Sequence, residues 1–393
     1  MPLLSPPDVA PAAASPGPTP EGRRIQRPGR VIGLDVARAL AVFGMLGAHF
    51  GGVPADVVAA PSSWLGVVHG RSSILFAVLA GVSLALLTGR TVVPAGEDLL
   101  RARTRILVRA AWVFAIGIGL EALGTDIDVI LGVYAVLFVL ALPFLRWPPR
   151  RLLLAAATLA VLTPPAALLL TVAAQAGGLE QSGLVLLLLN GPYPALIWWT
   201  FILLGMAVGR CDLAAPRVRA RLLAAGAALA VLGYGAGWTT TRWWGQAASA
   251  QAWVDGDVEA RSWSPAWLSG AAPHSGTTCE IVGSVGIALI VIAACLVLAE
   301  RLPRATFPLV SVGAMALTAY TGGIVAPAVL PEYPEGGWAW PAFIAGTVVV
   351  ATGWRLAIGQ GPLERLLSTS SRSAAALAVR HLAPRPQSSS YVS

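Results

Sequence analysis

Apolar residues run along this chain in blocks of about twenty, not in the three- and four-residue rhythm of a helix that buries one face. Ten blocks can be drawn, at about 32–50, 72–89, 106–124, 128–145, 151–174, 193–209, 220–238, 279–299, 307–329 and 338–357. Each is close to the ~20 residues with which a helix crosses a ~30 Å hydrocarbon core. The pattern therefore predicts an all-α fold, a polytopic transmembrane bundle of about ten spans. The stub GLVLLLLN at 183–190 is too short to span and stops at the turn Gly191-Pro192-Tyr193-Pro194. It reads as an interfacial or re-entrant piece packed under its neighbours. Pro164-Pro165 falls inside the fifth block and predicts a kink.

The segments between the blocks set the orientation. If the N-terminus is cytosolic, the inner segments carry 22 arginines and the outer ones only Arg71, Arg242 and Arg261, with Arg38 and Arg109 inside spans. The bias recurs in every inner loop, so both termini are expected in the cytosol of a multi-pass cell-membrane protein. Tryptophans fit the same map. Trp147 and Trp354 fall near inner ends, while Trp338 and Trp340 sit at an outer end. Six more (Trp238, Trp243, Trp244, Trp253, Trp263 and Trp267) crowd the longest outer segment, 238–275, beside Asp255, Asp257 and Glu259. That loop reads either as an interfacial cap anchored by indoles or as a lid whose rings stack on a sugar.

Composition agrees. The 393 residues are 56% hydrophobic and 12% charged, where soluble domains carry about 25% charge. Mean hydropathy is +0.72. The net charge of +8 would suggest nucleic acid in a soluble protein. Here the arginines of the inner loops account for it, and no nucleic-acid partner is expected. The partners implied are the lipid bilayer and a small-molecule or glycan acceptor, with the oligomeric state open. Cys211, Cys279 and Cys295 show neither CxxC nor metal-ligand spacing, so neither a disulfide framework nor a metal site is expected. Residues 1–29 are rich in Pro, Ala and Ser and read as a disordered cytosolic tail. The Ser/Arg/Pro-rich end at 368–393, with His381, is read the same way. The turn GPLERLL before it is amphipathic enough to lie along the inner surface.

The first two blocks concentrate the unusual residues. Ionisable groups inside a membrane helix are costly, usually paired and often functional. Asp35 and Arg38, three apart, share one helical face. His49 follows Arg38 by eleven residues, nearly three turns, and so lies about 16 Å further along the same stripe. An acid–base pair at the inner end and an imidazole at the outer end suit a group passed through the protein. The bland alternatives are a structural ion pair and an interfacial histidine bonded to a carbonyl. An imidazole titrates near neutrality, which fits a general base towards an amine or hydroxyl, or an acyl carrier. His69, in VVHGRSS, precedes the second block, with Arg71 two residues on and Ser72 or Ser73 as a candidate helix cap. His274, in PHSGTTCE, stands similarly before the eighth block, where Glu280 and Ser284 continue one face. Three outer-side histidines are thus available to one pocket. Glu121, Asp126 and Asp128 read as a solvated hairpin.

The run RxxGLDVARALAVxGM…H followed by GRSSILFAVLAGVSLALL resembles the start of bacterial membrane proteins related to heparan-alpha-glucosaminide N-acetyltransferase, within a wider transmembrane acyltransferase superfamily. GPYPALIWWTFILLGMAVGRCDL, HSGTTCEIVGSVGIAL, PLVSVGAMALTAYTGG and GPLERLL resemble the C-terminal membrane domain that often accompanies it in bacteria. The resemblance spans about residues 30–367. It implies an N-terminal acyltransferase-like domain at 30–178 and a C-terminal transmembrane domain at 179–367 that carries loop 238–275. It also implies acyl transfer from cytosolic acetyl- or acyl-coenzyme A, a substrate with no bound cofactor, to a sugar amine or hydroxyl on the outer side. Asp35 and Arg38 match the family's Asp-x-x-Arg pair. His49 is similar in place to the first-helix histidine of the type-3 acyltransferases. The family's catalytic histidine lies in the loop between the first two spans, where His69 is shifted towards the second helix and Ser63-Trp64 only faintly echoes the surrounding pattern. The expected catalytic residues are therefore His49, His69, Asp35 and Arg38, with Arg71, His274 and Glu280 binding substrate. The competing reading is a small-metabolite transporter or permease, with Asp35–Arg38 as a gate and the histidines as proton relays.

Overall fold

A computed structural model describes residues 30–50, 66, 68–125, 127–179, 181–245, 265–329 and 338–382. Every regular element among them is helical, and each predicted block coincides with a helix or a pair of helices. In chain order these are α1 Ile32–Phe50, α2 Arg71–Leu87, α3 Gly96–Glu121, α4 Leu131–Leu140, α5 Pro149–Ala176, α6 Ala195–Gly209, α7 Pro216–Trp244, α8 Thr278–Arg301, α9 Phe307–Ala314, α10 Ala316–Val329, α11 Ala339–Ala357 and α12 Pro362–Leu382. Helices α1, α5, α7 and α8 are each long and apolar enough to cross a membrane. The pairs α9–α10, bent by 78°, and α11–α12, bent by 50°, would raise that number to six if each were one span. α2, α4 and α6 are apolar but shorter.

α1 lies at the centre, packed against α2, α8, α9, α10 and α11. Its middle is almost wholly buried: Ala39, Ala41, Val42, Phe43, Met45 and Leu46. Phe43 and Ala39 form a core with Val312, Met315 and Ala351. Where water supplies no hydrophobic drive between helices, close approach through small residues is the main source of packing. A Cβ on Gly205 of α6 would collide with the Val78 carbonyl of α2. α7 is the clearest case, since it buries only Gly226, Gly233 and Gly237 against its neighbours and exposes Val231, Leu232 and Trp238.

Pro164 and Pro165 sit inside α5 without ending it. A proline removes the hydrogen bond to the carbonyl four residues back, here that of Ala160. Thr278 Oγ1 of α8 donates to that carbonyl at 2.8 Å, so a neighbouring helix satisfies the group the proline frees. α5 and α6 pack directly on each other across the position where the sequence suggests a domain boundary.

Two expectations are corrected. α7 continues to Trp244, so the Trp-rich segment begins as exposed helix rather than as loop. Trp253, Asp255, Asp257, Glu259 and Trp263 lie outside the described residues. The stretch expected to be a disordered tail from 368 continues α12 as far as Leu382. α12 is held by Glu364, whose carboxylate accepts the Leu317 and Thr318 amides at 2.9 and 3.0 Å and the Thr318 hydroxyl at 2.7 Å. A carboxylate at the unsatisfied N-terminus of α10 is favourable for both the amides and the helix dipole. Composition pointed to disorder because the Ser and Ala of α12 form a packed seam (Ser368, Ser371, Ala375) instead of a polar coil.

Arginines near helix ends tie neighbouring segments together. Arg210 donates to the Leu145 carbonyl, Arg219 pairs with Glu300, and Arg355 donates to the Val310 carbonyl at 3.0 Å.

Candidate functional site

The polar residues of α1 fall into two separate groups. Near its start, Asp35 is buried at 1% exposure and Arg38 Nη1 donates to its Oδ1 at 2.5 Å. Arg38 Nη2 donates to Ser83 Oγ of α2 at 2.9 Å, and Ser83 donates onward to the Leu79 carbonyl. The pair thus bolts α1 to α2. On the other side, the backbone of Asp35 is in such close contact with Gly313 of α9 that no side chain fits there.

His49 occupies the last turn of α1 and is exposed. His69 follows in the tight turn that leads into α2, its amide bonded to the Gly66 carbonyl at 3.1 Å. α2 begins at Arg71 behind Gly70, whose φ of 68° suits glycine. No side chain caps the helix, so Ser72 and Ser73 are not caps. Both are buried instead. Arg71 Nε donates to Tyr234 Oη of α7 at 2.8 Å, its Nη1 donates to the His69 carbonyl at 3.3 Å, and its guanidinium lies 5.1 Å from the Tyr234 ring centre. Tyr234 Oη in turn meets Ser284 Oγ of α8 at 3.2 Å.

His274 arrives from the loop before α8. Thr277 caps that helix by accepting the Glu280 amide at 3.0 Å. Glu280 reaches back, Oε1 accepting the His274 amide at 2.7 Å and Oε2 the Gly276 amide at 2.6 Å and the Ser275 hydroxyl at 3.2 Å. This is the reciprocal logic of a capping box. It commits both carboxylate oxygens to the loop. The brace holds His274 at φ 59°, a left-handed conformation that a non-glycine residue keeps only when its surroundings enforce it. The His274 ring bonds the Pro192 carbonyl and lies edge-on to Tyr193 at 5.6 Å, and its Nδ1 is buried with no partner.

The charges of His49, His69 and Arg71 all act on His274 and Glu280 accepts its amide, so five of the seven expected site residues share one neighbourhood. Burial first, and those positive neighbours second, push the His274 imidazole down to about 4, against the single opposing effect of the Pro192 carbonyl. His274 is therefore neutral at physiological pH. Asp35 and Arg38 stay at the far end of α1, about 16 Å away by helical rise.

A small cavity of about 50 Å³ lies beside His274, lined by Pro164, Pro194, Ile197, Trp267, Ser275 and Gly276 among others. That is room for a water or two and not for a sugar ring. A larger groove of about 530 Å³ between α10 and α11, lined by Ala319, Gly322, Phe343 and Gly346 among others, has no titratable group in its lining.

Several participants escape a sequence reading. Tyr193, which reads only as part of a turn, bonds Ser73. Tyr134 donates to the Ser73 carbonyl at 3.3 Å, and Tyr320 accepts the Ile130 amide at 3.4 Å. Asp128, expected in a solvated hairpin, acts electrostatically on Tyr193 and Tyr320. The only signal for this layer is that Tyr134 and Tyr320 sit in apolar runs, where a hydroxyl needs a partner. Ser63-Trp64 and Asp126 lie outside the described residues.

A family model described as "Heparan-alpha-glucosaminide N-acetyltransferase, catalytic" matches residues 30–236. The match covers α1 to α6 and most of α7, and therefore His49, His69, Arg71 and the Asp35–Arg38 pair. No curated protein matches the chain. Over this catalytic region the chain belongs to the heparan-alpha-glucosaminide N-acetyltransferase family, and it is a membrane acyltransferase-like protein.

Proposed function

We propose that the chain transfers an acyl group, acetyl in the simplest case, from acyl-coenzyme A at the arginine-rich end of the bundle to a sugar amine or hydroxyl at the histidine end. The observation that carries this is the convergence of His49, His69, His274 and Arg71 at one end of α1, with His49 exposed and His274 held neutral. A catalytic base must accept a proton, and each additional imidazolium nearby would oppose that. A buried, neutral His274 keeps the positive charge low where His49 works.

In this reading His49 takes the proton from the acceptor as its nitrogen or oxygen attacks the thioester carbonyl. The new C–N or C–O bond forms, the C–S bond breaks, and the coenzyme A thiolate leaves and regains a proton from the imidazolium. Arg71 uses two of its five N–H donors on Tyr234 and His69. The others are suited to the oxyanion of the tetrahedral intermediate. His69, one turn of chain from Arg71, is the alternative base. Arg38, whose side chain is 21% exposed beside its buried partner, has donors left for a phosphate of the donor. Glu280 and His274 position the loop. Family membership favours acyl transfer over a permease gated by Asp35–Arg38, and the fuller arrangement of ten spans with both termini cytosolic is part of the same proposal.

The test is transfer of label from acetyl-coenzyme A by protein purified in detergent, against a panel of amino sugars. Label found on a sugar, or held on the protein, supports the reading. Label that reaches neither overturns it.

A further inference from the structure

α3 and α12 pack against each other along small and apolar faces, Ala102, Ile106 and Ala110 on one side and Leu367, Ser371 and Ala375 on the other. Three arginines stand at this seam. Arg105 and Arg109, one turn apart, share a face of α3, and Arg372 follows Ser371 on α12. Arg109 Nε reaches Ser371 Oγ at 3.5 Å, a long contact. Arg105 Nε is buried without a hydrogen-bond partner. The Arg372 charge acts on both other guanidiniums, and that of Arg105 on Arg109. Among the described residues no carboxylate pairs with any of the three. The ion pairs found are Asp35–Arg38, Glu97 and Asp98 with Arg101, and Arg219–Glu300. Two half-buried guanidiniums at a packed seam, one with a buried donor unused, with the exposed Arg372 beside them, form a cationic site suited to an anion.

Geometry and surroundings narrow the choice. Guanidinium forks match the oxygens of a phosphate, which can take several charge-assisted hydrogen bonds at once. On the side of α3 that carries Arg105 and Arg109, Trp112 is exposed, and α12 exposes Leu377. An anion docked there has its charge against the arginines and apolar surface alongside. Arg105 lies about one turn and Arg109 about two turns beyond Arg101 of the exposed start of α3, about 6 and 12 Å along the helix at 1.5 Å per residue. Arginines at such a distance reach a lipid headgroup by extending along their stems.

We propose that the Arg105–Arg109–Arg372 cluster binds the phosphate of an anionic phospholipid headgroup, which fastens α12 to α3. The site is separate from the histidine cluster and does not depend on acyl transfer.

The test uses the full chain in nanodiscs of pure phosphatidylcholine or with phosphatidylglycerol added, read by thermal unfolding and by native mass spectrometry of bound lipid. Wild type is expected to unfold at a higher temperature with phosphatidylglycerol and to retain that lipid. In Arg105→Gln/Arg372→Gln the thermal gain should disappear and the retained phosphatidylglycerol fall by roughly tenfold, as expected when charge-assisted contacts are lost. Arg103→Gln, an exposed position on the same helix, should behave as wild type. Equal stability of wild type in the two lipids overturns the proposal without recourse to any variant, as does undiminished retention in the double variant. If inorganic phosphate or 3′,5′-ADP reproduces the whole gain in phosphatidylcholine, the occupant is a soluble phosphate and the lipid assignment fails.

Discussion

The two ends of α1 handle buried polarity in opposite ways. At one end Asp35 is fully buried, and Arg38 is bonded both to it and to Ser83 of the next helix. At the other end three imidazoles and a guanidinium meet around Glu280, whose two carboxylate oxygens accept hydrogen bonds from its own loop and whose charge is felt by Arg71. Opposite charges held by good hydrogen bonds make a fixed joint. Titratable imidazoles gathered around an exposed one make a place where protonation states compete, which is what proton transfer needs. The contrast separates a pair whose hydrogen bonds keep α1 in place from residues placed to act on the acceptor, although all of them are ionisable groups in one apolar helix and its surroundings.

The contrast breaks first at Asp35. Asp35→Ala leaves the Arg38 charge without its partner and should cost about 3–5 kcal/mol, the usual range for unpairing a buried ion pair. The readout is thermal unfolding in detergent, with a large fall or failure to purify expected. Asp35→Leu/Arg38→Met removes both charges and should recover most of that loss. Full stability with no acyl transfer in the double variant would mean that the pair also serves the reaction. At the other end, His49→Ala should unfold as wild type does, because the side chain is exposed, while transfer drops by roughly 10²–10⁴-fold, the range for loss of a general base. Unchanged transfer would move the base to His69.

How much of this was legible in the sequence follows from the same contrast. The helices were legible because twenty-residue apolar blocks leave few alternatives, and Asp35–Arg38 because both partners lie on one helix at a spacing of three. The histidine cluster was legible only as a shared side of the bundle. Its contacts join residues as far apart as Arg71 and Tyr234, and no local pattern encodes such a pair. The Glu280 brace was written as Thr277-x-x-Glu280, yet a carboxylate next to a histidine invites a substrate reading before a capping one. α12 was missed because its seam is serine and alanine, which by composition look like coil. Its anchor Glu364 finds its donors 46 and 47 residues earlier in the chain.

A smaller effect comes from pH. The folded His274 titrates near 4, below the ordinary 6.5. Between those values the unfolded chain binds more protons than the folded one, so stability falls as pH drops through the window and the loss is complete below about 4. A shift of that size corresponds to up to about 3 kcal/mol. His274→Asn removes the titration and keeps a residue that tolerates the left-handed backbone. Its unfolding temperature should decline less than that of wild type from pH 7 to pH 4.5. Above pH 6.5 the two should respond to pH alike. Parallel declines over the whole range would mean that His274 charges without penalty and is open to solvent.

The finest separation of the two ends compares one hydroxyl at each. Ser83→Ala removes a neutral partner of Arg38 but leaves the Asp35 bond, so about 0.5–1 kcal/mol of stability should go and transfer should be unaffected. Tyr234→Phe looks equivalent. It removes one hydroxyl that accepts from Arg71 and meets Ser284, and the ring that faces the guanidinium stays. The stability cost should again be about 1 kcal/mol. The consequence differs because, among the described residues, Arg71 has no carboxylate at ion-pair distance as Arg38 has in Asp35, and once the hydroxyl is gone the guanidinium can rotate away from His69. Transfer in Tyr234→Phe should fall about tenfold in kcat/KM, the equivalent of about 1.4 kcal/mol of lost transition-state binding. If both variants lose only stability, Arg71 is as structural as Arg38, and the division of α1 into a joint and a working end fails at the residue meant to stabilise the oxyanion.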